Sequence, residues 1–354
     1  MPSAGVSVTD QESLTDMVWA NAERFGDAIS FRRRADHSWL DVTARDFAAQ
    51  VLAVAKGLIA AGMRPGDRIG LLCGTRYEWS LIDFAIWAAG CVTVPITDGA
   101  PAERAAFILS DSDARAVVVE TEAHRELVRP RTEIPVWRLG AELTELGRRV
   151  DDAEAHARRL GVRSDDVATL VYGPDGPGTL SHRALLGRVR STIARHADRW
   201  FGAGNSMLIR VPLTDVVARV MALCCVYTRT TLAHSPNADD PLADLGTFRP
   251  TVVVTEPALL AQVHDAARRR AHAEDRGRFF DAAEAVAVEF SRALDGFGPA
   301  VTLRGKHLMA SKFVYPKLRV ALGGRCTSVV AVGAPVPERL GHFFRGIGIP
   351  VHSV

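Results

Sequence analysis

Hydrophobic positions along this sequence follow two spacings that alternate. In one set of segments apolar residues recur every three to four positions, as at Phe47, Val51, Val54 and Leu58, and this spacing predicts helices with one buried face. Between these segments lie short apolar, β-branched runs bounded by glycine, proline and aspartate, which predict buried strands. Regular alternation of strands and helices is typical of an α/β fold with mainly parallel sheets.

The alternation covers the whole chain with one interruption. The charged stretch 140–164 predicts a subdomain boundary, with a first α/β subdomain over 1–164 and a second over 165–354. The predicted strands are 28–34, 37–41, 68–73, 91–95, 116–120, 207–211, 230–233, 251–255, 326–332 and 349–351. The predicted helices are 14–25, 43–62, 78–89, 102–110, 183–200, 216–227, 241–247, 257–278, 280–294, 306–322 and 337–346.

The central stretch Val167–His182 contains the pattern closest to a known kind of site. An apolar run ends in a Gly/Pro-rich loop and a helix follows, which is how many α/β proteins bind phosphate through loop N–H groups and a helix N-terminus. Pro174 and Pro177 each remove one N–H donor, Asp175 adds a negative charge, and no lysine is nearby. The spacing alone leaves open a nucleotide site and an ordinary tight loop.

Composition narrows the class of protein. The 354 residues are 47% hydrophobic and 24% charged with a net charge of +2, which gives no electrostatic reason to expect a nucleic-acid partner. Five cysteines in apolar surroundings predict buried thiols rather than disulfides or a zinc site. The N-terminus lacks the features of a signal peptide, and the longest apolar stretch, 216–227, is too short to span a bilayer. We therefore expect a cytoplasmic protein with no transmembrane segment.

Five separated stretches, in order along the chain, resemble one family. They are Arg76–Ile96, Ala106–Glu120, Val211–Tyr227, Phe248–Thr255 and Lys312–Pro350, and they are similar to the adenylate-forming superfamily, specifically to the N-terminal domain of bacterial long-chain fatty-acyl-CoA synthetases. The resemblance implies a large α/β domain that binds ATP and an acyl chain, and a C-terminal lid. It also implies a reaction in which a fatty acid attacks ATP with Mg²⁺ present, after which CoA displaces AMP.

The phosphate loop departs from the family pattern. The family's loop is rich in serine, threonine and glycine and contains a lysine. The corresponding loop of this sequence, residues 173–180, is shorter and has no lysine. The glycines of this degenerate phosphate loop, by resemblance, are Gly173, Gly176 and Gly178. Loss of the loop removes several charge-assisted hydrogen bonds to phosphate, each worth roughly 1.5–3 kcal/mol.

Two further positions can be compared with motifs of the family. Asp215, in Pro212-Leu213-Thr214-Asp215, stands where the family has the histidine of its PLAH motif, beside the acyl and adenylate groups. A carboxylate there faces the carboxylate of the fatty acid, and like charges oppose binding. Gly333-Ala334-Pro335 matches the adenine-side motif of the family, and an ordinary turn between strand and helix is the alternative interpretation.

The remaining family motifs have no counterpart in this sequence. In the family, the adenine-stacking tyrosine, the phosphate threonine and the Mg²⁺ glutamate follow the position of Ile349-Pro350, where this sequence has His352-Ser353-Val354 instead. The lid with its lysine lies further on in the family, so the sequence is interpreted as truncated before the adenine signature and lid. We assign no catalytic residue and no metal ligand, and expect no tightly bound cofactor.

The expected function is therefore that of a long-chain fatty-acid–CoA ligase (AMP-forming) family protein, catalytically deficient on its own. Three interpretations stay open. The first is a ligase completed by a lid on another polypeptide. The second is a non-catalytic protein that binds acyl chains or acyl-CoA, or regulates an intact acyl-CoA synthetase as its partner. The third is a gene relic, a form of pseudoenzyme.

Overall fold

The computed structural model describes residues 7–36, 38–173, 176–235 and 241–354. Residues 1–6, His37 at the start of a predicted strand, and Pro174 and Asp175 of the central loop lie outside the described residues, as do residues 236–240. None of the helices in the described ranges combines the length and the apolar character needed to cross a membrane.

Helices and strands alternate along the chain, as the hydrophobic pattern predicted. The helices are α1 (Asp16–Phe25), α2 (Ala44–Ala60), α3 (Tyr77–Ala88), α4 (Ala102–Asp111), α5 (Glu122–Val128), α6 (Ala141–Gly147), α7 (Asp152–Leu160), α8 (His182–Trp200), α9 (Val216–Thr228), α10 (Pro241–Phe248), α11 (Pro257–Ala273), α12 (Gly277–Ala293), α13 (Val301–Phe313), α14 (Tyr315–Val320) and α15 (Glu338–Gly346). The strands are β1 (Ile29–Ala35), β2 (Ser38–Thr43), β3 (Arg68–Leu72), β4 (Val92–Ile96), β5 (Ala114–Val119), β6 (Val136–Arg138), β7 (Val167–Gly173), β8 (Gly176–Ser181), β9 (Ser206–Ile209), β10 (Thr231–His234), β11 (Val252–Thr255), β12 (Ser328–Ala331) and β13 (Val351–Ser353).

These strands form two sheets flanked by helices. The first sheet has the order β6-β5-β3-β4-β7-β8, and the second has the order β13-β12-β11-β9-β10-β1-β2. Neighbours are parallel except at one edge of each sheet, where β8 runs antiparallel to β7 and β2 antiparallel to β1. Central strands such as β4 and β11 are buried along their whole length, because helices cover both faces of a parallel sheet. The predicted α/β class with mainly parallel sheets is confirmed.

The sheets exchange strands between the two halves of the sequence. β1 and β2 come from the first 43 residues but pair into the second sheet through β10. β7 and β8 follow residue 164 but pair into the first sheet through β4. The division into subdomains 1–164 and 165–354 stays a prediction, and the hydrogen-bonded sheets do not follow it.

The boundary between two predicted helices, 257–278 and 280–294, lies earlier in the structure than the sequence indicated. The apolar spacing predicted a helix over 257–278, but α11 ends at Ala273 and α12 begins at Gly277. Asp275 adopts a positive φ of 57°, and the N–H of Arg276 donates to the carbonyl of Ala271. This left-handed turn ends the helix because its backbone cannot continue the right-handed path.

The five cysteines are buried thiols, as their apolar neighbours predicted. Burial raises the pKa of Cys91 and of Cys326 to about 12, because a thiolate would lose its hydration. We assign them to the hydrophobic core.

Candidate functional site

An open cavity of about 640 Å³ lies where the carboxyl ends of strands from both sheets meet. Its walls include Pro95 near the end of β4, Tyr172 of β7, Val211 after β9, Glu256 after β11 and Gly333 after β12. Ligands of open α/β sheets bind in the crevice outside the carboxyl ends of the strands, so this is the position where a site is expected. We refer to it as the central cavity.

The central cavity brings together two of the three positions that the family resemblance selected. Asp215, Gly333 and Ala334 all line it, so the degenerate PLAH position and the adenine-side motif face the same space. Gly333 has a φ of 93°, which favours glycine and turns the chain away from β12. Within the described residues the lining does not include Pro335, Gly173, Gly176 or Gly178.

Residue 173 and residues 176–180 belong to the β7–β8 hairpin, where the sequence predicted a Gly/Pro-rich loop. Gly173 is paired with Gly176, Val171 with Gly178 and Leu170 with Thr179 along the antiparallel β7–β8 ladder. Backbone N–H groups that bond across such a ladder are not available to a phosphate. β8 is the edge strand of its sheet, which explains how it accommodates Pro177.

Only one of the three hairpin glycines has a conformation that requires glycine. Gly176 has a φ of 105°, next to the connection between β7 and β8. A Cβ added to Gly173 would meet no atom within 4 Å, and one added to Gly178 would meet only the Val171 side chain, at 3.7 Å. The role of these glycines in phosphate binding stays a prediction from the resemblance.

Asp215 is the N-cap of α9. Its Oδ1 accepts hydrogen bonds from the N–H groups of Val217 at 2.8 Å and Ala218 at 3.0 Å. The N-terminus of a helix carries a partial positive charge and unpaired N–H donors that can bind an anion. The Asp215 carboxylate itself fills that position, so the wall of the central cavity already contains its anion.

Two substitutions at Asp215 separate the hydrogen bonds of the cap from the charge of the carboxylate. Replacing Asp215 by alanine is expected to lower the free energy of unfolding by about 1 kcal/mol, because two N–H groups of α9 lose their acceptor. Asp215→Asn keeps a side-chain oxygen at the cap and is expected to stay within about 0.5 kcal/mol of the parent protein. Urea unfolding followed by circular dichroism measures both, and equal losses in the two variants would contradict the capping role.

The lining of the central cavity also contains a cation beside aromatic rings. The Arg104 guanidinium, which lines the cavity, lies 5.5 Å from the ring centre of Phe107 and 5.9 Å from that of Tyr172. The Tyr172 hydroxyl donates to Asp111 at 2.7 Å. Burial, with a contribution from Asp111, raises the pKa of Tyr172 to about 12, so it remains a neutral donor.

None of the described residues that line the central cavity is a lysine. No lysine occurs between Lys56 and Lys306, and Lys56 forms an ion pair with Asp152 at 2.5 Å. No group of three or more potential metal-ligating side chains was found among the described residues. The charged side chains lining the cavity are therefore Arg104, Asp215 and Glu256, within the part of the chain that the structure describes.

Comparison with known proteins assigns the family. The family model for AMP-binding enzymes matches residues 18–354. The chain belongs to the AMP-binding enzyme family. It is 35% identical over 367 residues to the long-chain-fatty-acid–CoA ligase FadD15 of Mycobacterium tuberculosis, an alignment that covers 99% of this chain and 61% of that protein. The chain thus spans about three fifths of the length of this curated relative.

Two solved structures share the fold of this chain. The N-terminal domain of FACL13 from Mycobacterium tuberculosis superimposes with a TM-score of 0.70 at 18% identity, covering 97% of this chain and 75% of that one. A long-chain-fatty-acid–CoA ligase, FadD1 of Archaeoglobus fulgidus, gives 0.70 at 14% identity, covering 98% and 64%. At these identities the likeness concerns the fold alone.

The residues around the central cavity do not fit the triphosphate that this AMP-binding domain would be expected to hold. The N–H groups of the hairpin pair within β7 and β8, and the α9 N-terminus is capped by Asp215. Glu256 adds a second carboxylate to the lining. A site for ATP with Mg²⁺ needs donors and cations at the phosphates, so we derive no adenylation step from this arrangement.

Sequence reasoning missed a buried ion pair between α9 and α3. Arg219 of α9 donates through Nε to Asp83 of α3 at 2.8 Å and through Nη1 to Thr169 of β7 at 2.7 Å. The Thr93 hydroxyl of β4 donates to the same carboxylate at 2.7 Å. The network joins α9, whose N-terminus lines the cavity, to the first sheet. One arginine in the otherwise apolar stretch 216–227 is the signal that could have revealed it.

Proposed function

We propose that this member of the AMP-binding enzyme family binds an acyl chain in the central cavity and does not form an acyl-adenylate on its own. The observation that carries the proposal is the Asp215 carboxylate, which is fixed at the N-terminus of α9 in the cavity wall. It occupies the place where a helix end would otherwise stabilise an anionic group.

Adenylation requires two anions, a carboxylate and a triphosphate, to approach each other. Asp215 and Glu256 make the cavity wall negative, and Arg104 is the lining cation among the described residues. Each charge-assisted hydrogen bond that the site fails to make to phosphate represents about 1.5–3 kcal/mol. Several such losses together are enough to abolish measurable nucleotide binding.

An acyl chain meets no such obstacle, because it is uncharged along its length. Apolar side chains of Pro95, Ile108, Val171, Val211 and Val332 contribute to the lining. The volume of about 640 Å³ lies within the usual range for small-molecule sites, about 300–1,000 Å³. The 35% identical relative is named a long-chain-fatty-acid–CoA ligase, which makes a long acyl chain the first ligand to test.

Calorimetric titration of the purified chain tests the two parts of the proposal separately. We expect no heat of binding with ATP and Mg²⁺, and saturable binding of palmitoyl-CoA and palmitate. Asp215→Asn removes the charge and keeps the cap, so it is expected to bind palmitate about tenfold more tightly, because nearby like charges repel by about 1–4 kcal/mol. Nucleotide binding in the micromolar range would contradict the proposed loss of adenylation.

A matched pair of variants locates the acyl chain. Ala334 is exposed and lines the cavity, so Ala334→Phe is expected to fill part of the space and weaken palmitate binding at least ~10-fold through steric exclusion. Ala153→Phe adds the same ring to an exposed position of α7 and is expected to leave binding unchanged. Equal affinities in both variants, or no acyl binding by the parent protein, would place the ligand elsewhere or exclude it.

A further inference from the structure

Exposed apolar side chains are concentrated in one part of the surface. Of the large apolar residues that are exposed in the described ranges, seven of sixteen lie between residues 294 and 320. Single exposed apolar residues are normal on a protein surface, whereas a contiguous group marks an interaction site. We define the α13 patch as Phe297, Val301, Leu308, Met309 and Phe313.

Four of the five patch residues lie on the outer face of α13, and Phe297 lies in the segment before it. Val301, Leu308, Met309 and Phe313 are 83%, 70%, 60% and 58% exposed, and offsets of seven, eight and twelve residues place them on one side. Leu303 and Ala310, on the other side, are buried. Lys306 and Lys312 are exposed on the same side, so the outer face of α13 combines large apolar side chains with lysines, and no described residue covers these apolar side chains.

The inner face of α13 is fixed to the protein. The His307 ring stacks on Phe290 with ring centres 3.7 Å apart, and its Nε2 lies 2.8 Å from the carbonyl oxygen of Gly346. Tyr315, which follows in α14, is fully buried and donates its hydroxyl to the Ala283 carbonyl. These contacts hold the patch in place, so its exposure is a property of the folded surface.

Positive charge surrounds the same patch. Three of the four lysines of the chain, Lys306, Lys312 and Lys317, lie on α13 and α14, together with Arg304 and Arg319. The sequence 296–337 contains no acidic residue, although the whole chain has a net charge of only +2. The Lys312 ammonium lies 5.6 Å from the centre of the Phe313 ring, so cation and apolar groups share one surface.

We propose that the α13 patch docks the protein on the surface of an anionic lipid bilayer. An interfacial helix lies in the plane of the membrane with apolar side chains among the acyl chains and lysines at the headgroups. Lys306 and Lys312 are exposed, and their long side chains can reach the phosphates while their methylene groups stay apolar. A bilayer thus satisfies the apolar groups and the cations together.

A second copy of the chain is a poorer occupant. A twofold dimer through this face would place the patch against itself, so that lysines of one copy meet lysines of the other. Like charges in a desolvated interface oppose association. Anionic headgroups supply the complementary charge that an identical surface lacks.

Co-flotation with vesicles tests the proposal on the full chain. We expect binding to vesicles of phosphatidylglycerol and phosphatidylcholine, little binding to pure phosphatidylcholine, and weakening with salt. Lys306→Gln with Lys312→Gln should lower the partition coefficient about 25-fold, because each basic residue near an anionic surface contributes about fivefold. Leu308→Ser with Phe313→Ser should lower it at least ~10-fold by removing two apolar anchors.

Matched controls separate the patch from general surface properties. Arg148→Gln with Arg270→Gln removes two exposed cations elsewhere, and Leu160→Ser changes an apolar side chain that is 62% exposed on α7. Both controls are expected to keep full vesicle binding. Thermal unfolding checks that the variants fold, and Leu308→Ser alone replaces the double variant if that one does not.

Three results would overturn the proposal. They are a parent protein that does not float with anionic vesicles, patch and control variants that bind equally, and a concentration-dependent dimer that patch variants lose while vesicle binding is absent. The last result would assign the α13 patch to self-association. Sedimentation velocity over a range of protein concentrations detects it.

Discussion

Acidification from pH 7 to pH 4 is expected to lower the free energy of unfolding by about 6 kcal/mol through two buried histidines. Burial lowers the pKa of His182 to about 4 and that of His234 to about 3. His182 Nδ1 accepts the N–H of Leu14 at 3.2 Å, which requires an unprotonated Nδ1. His234 packs beside Phe31, and its Nε2 lies 3.2 Å from the Ser80 hydroxyl.

The direction follows from which state binds more protons. Both histidines titrate near 6.5 in the unfolded chain, above their values in the native state. Their contribution is therefore complete above about pH 6.5 and is lost as the pH falls, because protons bind the unfolded chain preferentially. At pH 4 each histidine has lost about 3 kcal/mol, against a total stability of about 5–15 kcal/mol for a typical domain.

Histidine-to-glutamine variants test this expectation. His182→Gln retains a side-chain oxygen that can accept the Leu14 N–H, and it is expected to reduce the slope of unfolding free energy against pH by up to about 1.4 kcal/mol per unit between pH 4.5 and 6. His234→Gln should reduce the slope by the same amount. His272, which is half-exposed on α11, provides the matched control. A slope that no buried variant changes would assign the acid sensitivity to carboxylates.

The fold could be predicted from the sequence where local patterns determine it. Buried strands such as β4, with the sequence VTVPI, contain short apolar, β-branched runs, and such runs favour a strand over a helix. The strand β8, with the sequence GPGTLS, has no such pattern and is composed of turn-forming residues. It is a strand because β7 supplies hydrogen bonds at a sheet edge, which is a tertiary effect that a local pattern cannot show.

The candidate site, like the fold, could be predicted from the sequence only in part. Resemblance selected Asp215 and Gly333-Ala334, and the carboxyl-end rule brings them to one cavity. The capping role of Asp215 could also have been predicted from the sequence, since an aspartate directly before an apolar helical run is a preferred N-cap. The partner of Arg219 could not be predicted from the sequence, because Asp83 lies 136 residues away and no spacing rule connects the two residues.

The second large effect concerns this buried ion pair. Arg219→Met is expected to lower the free energy of unfolding by about 3–5 kcal/mol, because the Asp83 carboxylate would stay buried without its cation. Both side chains are 3% exposed, so water cannot replace the guanidinium without opening the core. The guanidinium also lies 5.1 Å from the ring centres of Trp79 and Trp87, and that contact is lost too.

The loss should depend on pH. Burial raises the pKa of Asp83, and the Arg219 guanidinium and the Thr93 hydroxyl oppose that rise. Removing the guanidinium raises the pKa further, so the variant's native state takes up a proton that the unfolded chain, with a pKa of about 3.9, releases. Stability then falls as the pH rises from about 4 towards the pKa of the native state. We expect the difference between variant and parent to be smaller at pH 4 than at pH 7.

A double-mutant cycle separates the ion pair from the packing around it. Asp83→Leu with Arg219→Met removes both charges and keeps apolar volume, so its loss should be at least ~2 kcal/mol smaller than the sum of the single losses. Arg188→Met changes an exposed arginine of α8 and should stay within about 0.5 kcal/mol of the parent. Additive losses in the cycle would contradict the coupling and assign the effect of Arg219 to its contacts with the two tryptophans.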